Sequence, residues 1–223
     1  MEGLLITSSL LDSYAYLRET KNKISAYSDF VGMLRRESRP TNEVCQRGID
    51  FENLVCKNCN NPDADMYTIG KEYYHDVQSG EVVDCMASVC RGGDQQVKVE
   101  TEMTVNGEKY HLFGYADIIH YSQKKILDIK TCTRYMGDWK YLKRSQHHVY
   151  HLCTGLSDFE YVVADYEGKK IPQKFIRIPL KMQWNESAKI IAERIDEVTT
   201  FIKRNNLWND YVNTFTKEHK DRK

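Results

Sequence analysis

The 223-residue sequence has no net charge: 32 lysines and arginines balance 32 aspartates and glutamates. Such a chain exerts no global attraction on a polyanion, so any nucleic-acid partner has to be held by a local basic surface. No apolar run approaches the ~20 residues of a membrane span, and the mean hydropathy is −0.63. Both argue against an integral membrane protein. The opening Met-Glu-Gly-Leu-Leu-Ile has no basic residue ahead of its short apolar stretch, unlike a secretory signal. Prolines number only four, and no repeat, low-complexity tract or linker divides the chain. Cysteines number seven; an odd count without an export signal points to reduced thiols in a cytosol. Hydrophobic residues at 41% and charged residues at 29% exclude a disordered or fibrous chain. The length suits one domain, or one domain with a modest helical extension.

What is present reads as helices first and strands later. Residues 8 to about 60 suit helices, with Ser9 as a cap ahead of Leu10, Tyr14 and Leu17, a second helix over Lys23 to Arg36, and a third from Asn42 to Lys57. Turns at Asn60-Asn61-Pro62 and Gly92-Gly93 suggest short hairpin-like or irregular pieces between residues 58 and 95. From Val97 apolar residues alternate through Val105, the period-two pattern of a half-buried strand. Asn106-Gly107 then gives a hairpin turn, followed by strands over 109–120 and 125–132. A helix is expected from Lys140 to Thr154, capped by Asp138 and closed by Gly155. Phe159–Tyr166 and Phe175–Leu180 read as strands, and an amphipathic helix follows Asn185. The order implies an α/β fold, a mixed sheet flanked by helices.

The most informative segment is Gly114-Tyr115-Ala116-Asp117 followed by Asp128-Ile129-Lys130. A loop at Ser122-Gln123 pairs Tyr121 with Lys124, and the same register sets Asp117 opposite Asp128. Opposed side chains in a sheet sit roughly 4.5–5.5 Å apart at Cβ. Two carboxylates so close repel unless one takes a proton or a divalent cation lies between them. Lys130, two residues on, shares the face of Asp128 and can orient a water or neutralise a phosphate under attack. A bare D-x-K triplet, however, also suits a solvated strand face.

These residues resemble the core of the PD-(D/E)XK nuclease superfamily. Gln146-His147-His148-Val149-Tyr150 is similar to the Q-x-x-x-Y signature of its RecB-like and λ-exonuclease-like branches. Arg47-Gly48-Ile49-Asp50-Phe51-Glu52 resembles the helix whose glutamate completes the metal site. The resemblance runs over about residues 43 to 166 in the family's order. It implies a restriction-endonuclease-like domain over 42–223, with residues 1–41 as a helical N-terminal extension. It implies Mg²⁺ or Mn²⁺ held by Glu52, Asp117, Asp128 and the carbonyl of Ile129, with Lys130 acting on the water. Gln146 and Tyr150 would set the register of a DNA strand, and Lys140, Lys143 and Arg144 would grip its phosphates. The activity implied is metal-dependent hydrolysis of DNA, by an exonuclease more than an endonuclease, in recombination, repair or phage DNA processing. The location would be the cytoplasm, the host's if phage-encoded, and a second copy or a recombination protein would be a partner.

Other readings stay open beside it. Cys56, Cys59, Cys85 and Cys90 could form a four-thiolate zinc site, making this a zinc-stabilised interaction protein, or could be buried free thiols. The iron–sulfur branch of the RecB-like nucleases has three cysteines after the Q-x-x-x-Y helix. Here only Cys153 follows Tyr150, so no cluster is expected. His147 and His151 stand four apart but lack the H-E-x-x-H pattern, so they read as DNA-contacting or structural. A third reading keeps the fold as a non-catalytic nucleic-acid-binding module.

Overall fold

The computed structural model describes residues 3–38, 42–59 and 76–217. Its centre is a six-stranded mixed sheet. The strands are β1 (Leu4–Thr7), β2 (Asp94–Val105), β3 (Glu108–His120), β4 (Lys125–Cys132), β5 (Asp158–Asp165) and β6 (Lys174–Lys181). β2 runs antiparallel along the whole of one edge of β3. The other edge of β3 is shared. β1 pairs there in parallel at residues 110–113, and β4 pairs antiparallel at residues 118–120. Beyond β4 the sheet continues through parallel β5 to antiparallel β6. Between β1 and β4 the edge of β3 has no strand partner at residues 114–117 among the described residues. The sheet forks there.

Two layers cover the sheet. On one side α1 (Ser8–Glu19), α2 (Lys23–Leu34) and the later helices bury Leu10, Leu11, Phe30, Val149, Ile191, Ile195, Val198 and Ile202 against Ile6, Leu112, Ile119 and Ile126. On the other, α3 (Glu43–Cys59) and α4 (Val77–Cys90) pack on each other and bury Phe51, Val55, Val83 and Met86 with Ile118, Leu127, Ile129 and Val162. No helix among the described residues is long and apolar enough to cross a membrane.

The hairpin of β3 and β4 has the expected register, with Ile118 opposite Leu127, Ile119 opposite Ile126 and His120 opposite Lys125. Several other expectations change. The N-terminal stretch holds its helices, but ahead of them Leu4–Thr7 joins the central sheet, and Leu5 and Ile6 enter the main core. The cap of α1 is Thr7, not Ser9. Thr7 leaves β1 in an extended conformation, and its hydroxyl accepts the Leu10 N–H at 3.1 Å. Of the stretch between residues 58 and 95 expected to hold hairpin-like or irregular pieces, residues 60–75 lie outside the described residues, and 77–90 form α4. Asp76 caps it through the Ser79 N–H at 2.8 Å, and Val82, Val83, Met86, Ala87 and Cys90 form its buried stripe. The turn at Asn60-Asn61-Pro62 lies outside the described residues.

The single helix expected over 140–154 is two, α5 (Trp139–Leu142) and α6 (Gln146–Thr154). Tertiary bonds hold the break. The Ser145 N–H goes to Asp12 Oδ1 at 2.6 Å, and Arg194 donates to Ser145 Oγ at 2.7 Å and to the Lys143 carbonyl at 2.9 Å. Gly155 ends α6 as expected. The last long helix, α7 (Trp184–Arg204), packs on α6.

Candidate active site

The fork in the sheet gathers the chemistry. Asp117 ends the unpaired stretch of β3, and its backbone is one residue short of the β3–β4 ladder. Its side chain continues the pairing instead, Oδ2 accepting the Ile129 N–H at 2.8 Å. The other oxygen faces Gln96, whose amide donates to Glu52 Oε1 at 2.7 Å and reaches Asp117 Oδ1 at 3.4 Å. Glu52 therefore stands beside Asp117, although it comes from α3 on the far side of the sheet. Gly48, one turn earlier, makes this approach fit. A Cβ there would lie 3.1 Å from Thr131 Oγ1 on β4, so a larger residue would require that side chain to give way by a few tenths of an ångström.

Asp128 and Lys130 lie beside this pair. Asp128 is fully buried; one oxygen accepts the Gln146 amide at 2.6 Å, and the other is ion-paired with Lys130 Nζ. Lys130 Nζ also donates to the Ile129 carbonyl at 3.3 Å, so that oxygen faces the same space as the ammonium. Gln146 further donates to the Tyr150 hydroxyl at 3.1 Å, and Tyr150 donates to the Tyr115 carbonyl at 2.6 Å. That carbonyl belongs to the unpaired edge of β3, where no strand would otherwise satisfy it. Gly114 gives the ring its place, since a Cβ on it would meet a Tyr150 ring carbon at 2.7 Å. Gln146 and Tyr150 thus tie α6 to both sides of the fork.

The electrostatics follow from this crowding. Burial, then the charge of Asp117, pushes Glu52 up to about 7, with Lys130 and the Gln96 bond pulling the other way. Burial likewise pushes Asp128 up to about 7, against the pull of Lys130. For Lys130 burial acts downward, but Asp128 and Asp117 outweigh it and hold the ammonium above its ordinary value. Among the described residues no cluster of three or more His, Cys, Asp or Glu side chains is drawn together as a metal cage. The donors do fit a hard divalent cation in kind. Two carboxylate oxygens converge on one N–H donor, and a carbonyl and a third carboxylate flank them.

The three basic residues expected to grip phosphate separate. Lys140 is exposed on α5. Lys143 is the C-cap of that helix and pairs with Glu19 at 3.4 Å. Arg144, in the break between α5 and α6, acts on Asp128 and Lys130, and its buried Nε–H has no acceptor among the described residues. Gln96 was absent from the expected site. The hairpin turn at Asn106-Gly107 carries the signal that finds it, because that register sets residue 96 opposite Asp117.

The cysteines and histidines are structural in their contacts. Cys59 and Cys90 are buried, Cys59 Sγ donating to the Ala87 carbonyl at 3.4 Å, Cys56 is half-buried, and Cys85 is exposed on α4. Burial pushes the Cys56 thiol up to about 12. His147 Nδ1 lies 2.9 Å from the Tyr161 hydroxyl, His148 Nδ1 3.0 Å from Ser187 Oγ, and His151 Nδ1 2.8 Å from the Leu156 carbonyl. Burial lowers His147 to about 3 and His148 to about 4. Unfolding returns both to about 6.5. Below that pH the unfolded chain binds more protons than the folded one, so their contribution is complete above pH ~6.5 and is lost as the pH falls toward 4 and then 3. Glu52 and Asp128, with raised values, act in the opposite sense. The histidine effect is therefore best seen in the imidazole proton resonances. Neither His147 nor His148 should titrate above pH 5, and a midpoint near 6.5 for either would contradict the burial argument.

No protein-family model matches the chain, and no curated protein matches it by sequence. Its shape does have counterparts. The crystal structure of SSO0001 is similar at a TM-score of 0.50 and 13% identity, over 87% of this chain and 77% of that one. The fold is α/β, a mixed sheet flanked by helices. LHK-Exo, an alkaline exonuclease from Laribacter hongkongensis, has a TM-score of 0.48 and 14% identity over 93% of this chain and 91% of its own. A phage-related exonuclease from Haemophilus somnus 129PT has a TM-score of 0.38 and 10% identity, over 78% and 92%. The likeness to SSO0001 is one of fold alone, and the other two, below 0.5, carry no weight for function.

Proposed function

We propose that this chain is a divalent-metal-dependent nuclease that hydrolyses DNA phosphodiester bonds from strand ends, with the fork as its active site. The observation that carries the reading is Glu52 and Asp117 converging on the single amide of Gln96, beside the Asp128–Lys130 ion pair. An assembly that only stabilised the fold would not gather three carboxylates with so few cations. Glu52, Asp117, Asp128 and the Ile129 carbonyl would hold Mg²⁺ or Mn²⁺, which when bound supplies charge against the phosphate and lowers the pKa of a water.

The chain's own residues do the rest. Lys130, kept protonated by Asp128 and Asp117, orients a water or meets the negative charge that builds on the phosphate under attack. Arg144 lies near it with an Nε–H that has no acceptor among the described residues, suited to a phosphate oxygen. Gln146 and Tyr150 fix α6 against β3 and β4 and so set where a strand lies relative to Asp128. The role would be in recombination, repair or phage DNA processing, within a cytoplasm.

The test uses one end-labelled linear duplex and one covalently closed circle. The linear DNA should be degraded with Mg²⁺ or Mn²⁺ and left whole in chelator, while the circle survives. Full activity in excess chelator would rule out the metal site, and rapid loss of the circle would make the enzyme an endonuclease.

A further inference from the structure

Gln96 is the one residue at the fork with a backbone that its sequence does not favour. Its φ is +49°, a left-handed conformation that few non-glycine residues adopt and that costs on the order of 1 kcal/mol. The distortion has a geometric effect. Successive side chains of a strand point to opposite faces, yet Gln95 and Gln96 both reach α3. Gln95 donates to the Cys56 carbonyl at 3.0 Å, and Gln96 donates to Glu52 four residues earlier. The left-handed turn at Gln96 is what lets two consecutive glutamines address one helix. Ladder partners resume on both sides of it, with Gln95 opposite Ile118 and Val97 opposite Ala116. Gln96 sits opposite Asp117 with no inserted residue.

The position of α3 does not depend on Gln96. Phe51 and Val55 are fully buried, Arg47 lies over the Tyr166 ring at 4.3 Å, and Gln95 straps the helix to β2. Glu52 is thus held near Asp117 by packing. What the Gln96 amide adds is a hydrogen donor between two carboxylates that would otherwise repel. A divalent cation held by Glu52 and Asp117 would compete with the amide for these carboxylates.

We propose that Gln96 is a built-in plug of the metal site: its amide bridges Glu52 and Asp117 by hydrogen bonds in the metal-free protein and is displaced when a cation enters. This rests on the reading of the fork as a divalent-metal site. A plug and a strut differ in sign. If the amide competes with the cation, removing it strengthens cation binding; if the amide arranges the ligands, removing it weakens binding.

The measurement is Mn²⁺ binding to the full chain, read from the loss of the free-ion magnetic resonance signal, with melting temperatures recorded in parallel. Gln96→Ala and Gln96→Gly both remove the amide, and glycine also relieves the left-handed backbone, so a folded variant is available. Both should bind Mn²⁺ about ten- to a hundredfold more tightly than the parent, the range set by losing a hydrogen bond to a charged acceptor. In metal-free buffer Gln96→Ala should melt lower, and saturating Mn²⁺ should close that gap. Equal or weaker binding by both variants, with normal binding by the parent, would overturn the plug and leave the metal site standing. A parent that binds no Mn²⁺ would overturn both.

Discussion

Lys130→Ala should lower the single-turnover rate of DNA cleavage by about 10²–10³-fold, the range for removing one group that stabilises charge in the transition state, without unfolding the protein. Lys130 is the cation in direct contact with Asp128, and its Nζ also touches the Ile129 carbonyl. Its removal takes away the charge beside the reacting phosphate and the donor that would orient a water. Asp128, buried and already raised to about 7, then takes a proton instead of standing as a lone buried charge. The fold is therefore spared. Lys130→Arg should not restore the rate, because a guanidinium is planar and longer and cannot take the place of the compact ammonium between Asp128 and the Ile129 carbonyl. The comparison needs rates on one duplex and circular dichroism on each variant. A folded Lys130→Ala protein that cleaves at the parent rate would move the catalytic centre away from the fork.

The β3–β4 hairpin could be read from the sequence because its determinants are local. A four-residue loop from Tyr121 to Lys124 and alternating apolar residues fix the register, and with it the neighbourhood of Asp117 and Asp128. Glu52 was placed through the resemblance of Arg47–Glu52 to a metal-site helix, and Gly48 one turn earlier agreed with a close approach of a second element. What escaped depends on distant partners. The break at Ser145 is made by Asp12 and Arg194, 133 and 49 residues away. β1 has four residues and gains its strand character from β3. α4 is different: its cap at Asp76 and its buried stripe were present in the sequence, but Gly80 and the serines and cysteines within it weaken the helical signal. Gln96 was missed because it stands just before the alternation that begins at Val97, and a polar residue there gives no sign of a left-handed φ.

Asp117 carries two duties that substitution can separate. Its charge belongs to the metal site, while its Oδ2 accepts the N–H of Ile129, a buried residue just past the end of the β3–β4 ladder. Asp117→Ala removes both. The Ile129 N–H is left without an acceptor in the fork, at a cost of about 1–3 kcal/mol, and a chain of this size melts ~2–4 °C lower for each kcal/mol. Asp117→Asn keeps a carbonyl oxygen for that N–H and removes the like charge beside Glu52, so it should melt within a degree or two of the parent. Cleavage should be lost in both, since each takes a full charge from the cation's ligands. Melting curves in chelator, where no cation contributes, give the clean comparison. Equal destabilisation by Asn and Ala would show that the Ile129 bond does not hold the fork closed. Parental cleavage by Asp117→Asn would remove Asp117 from the metal site, and with it the reason for placing the chemistry where the sheet divides.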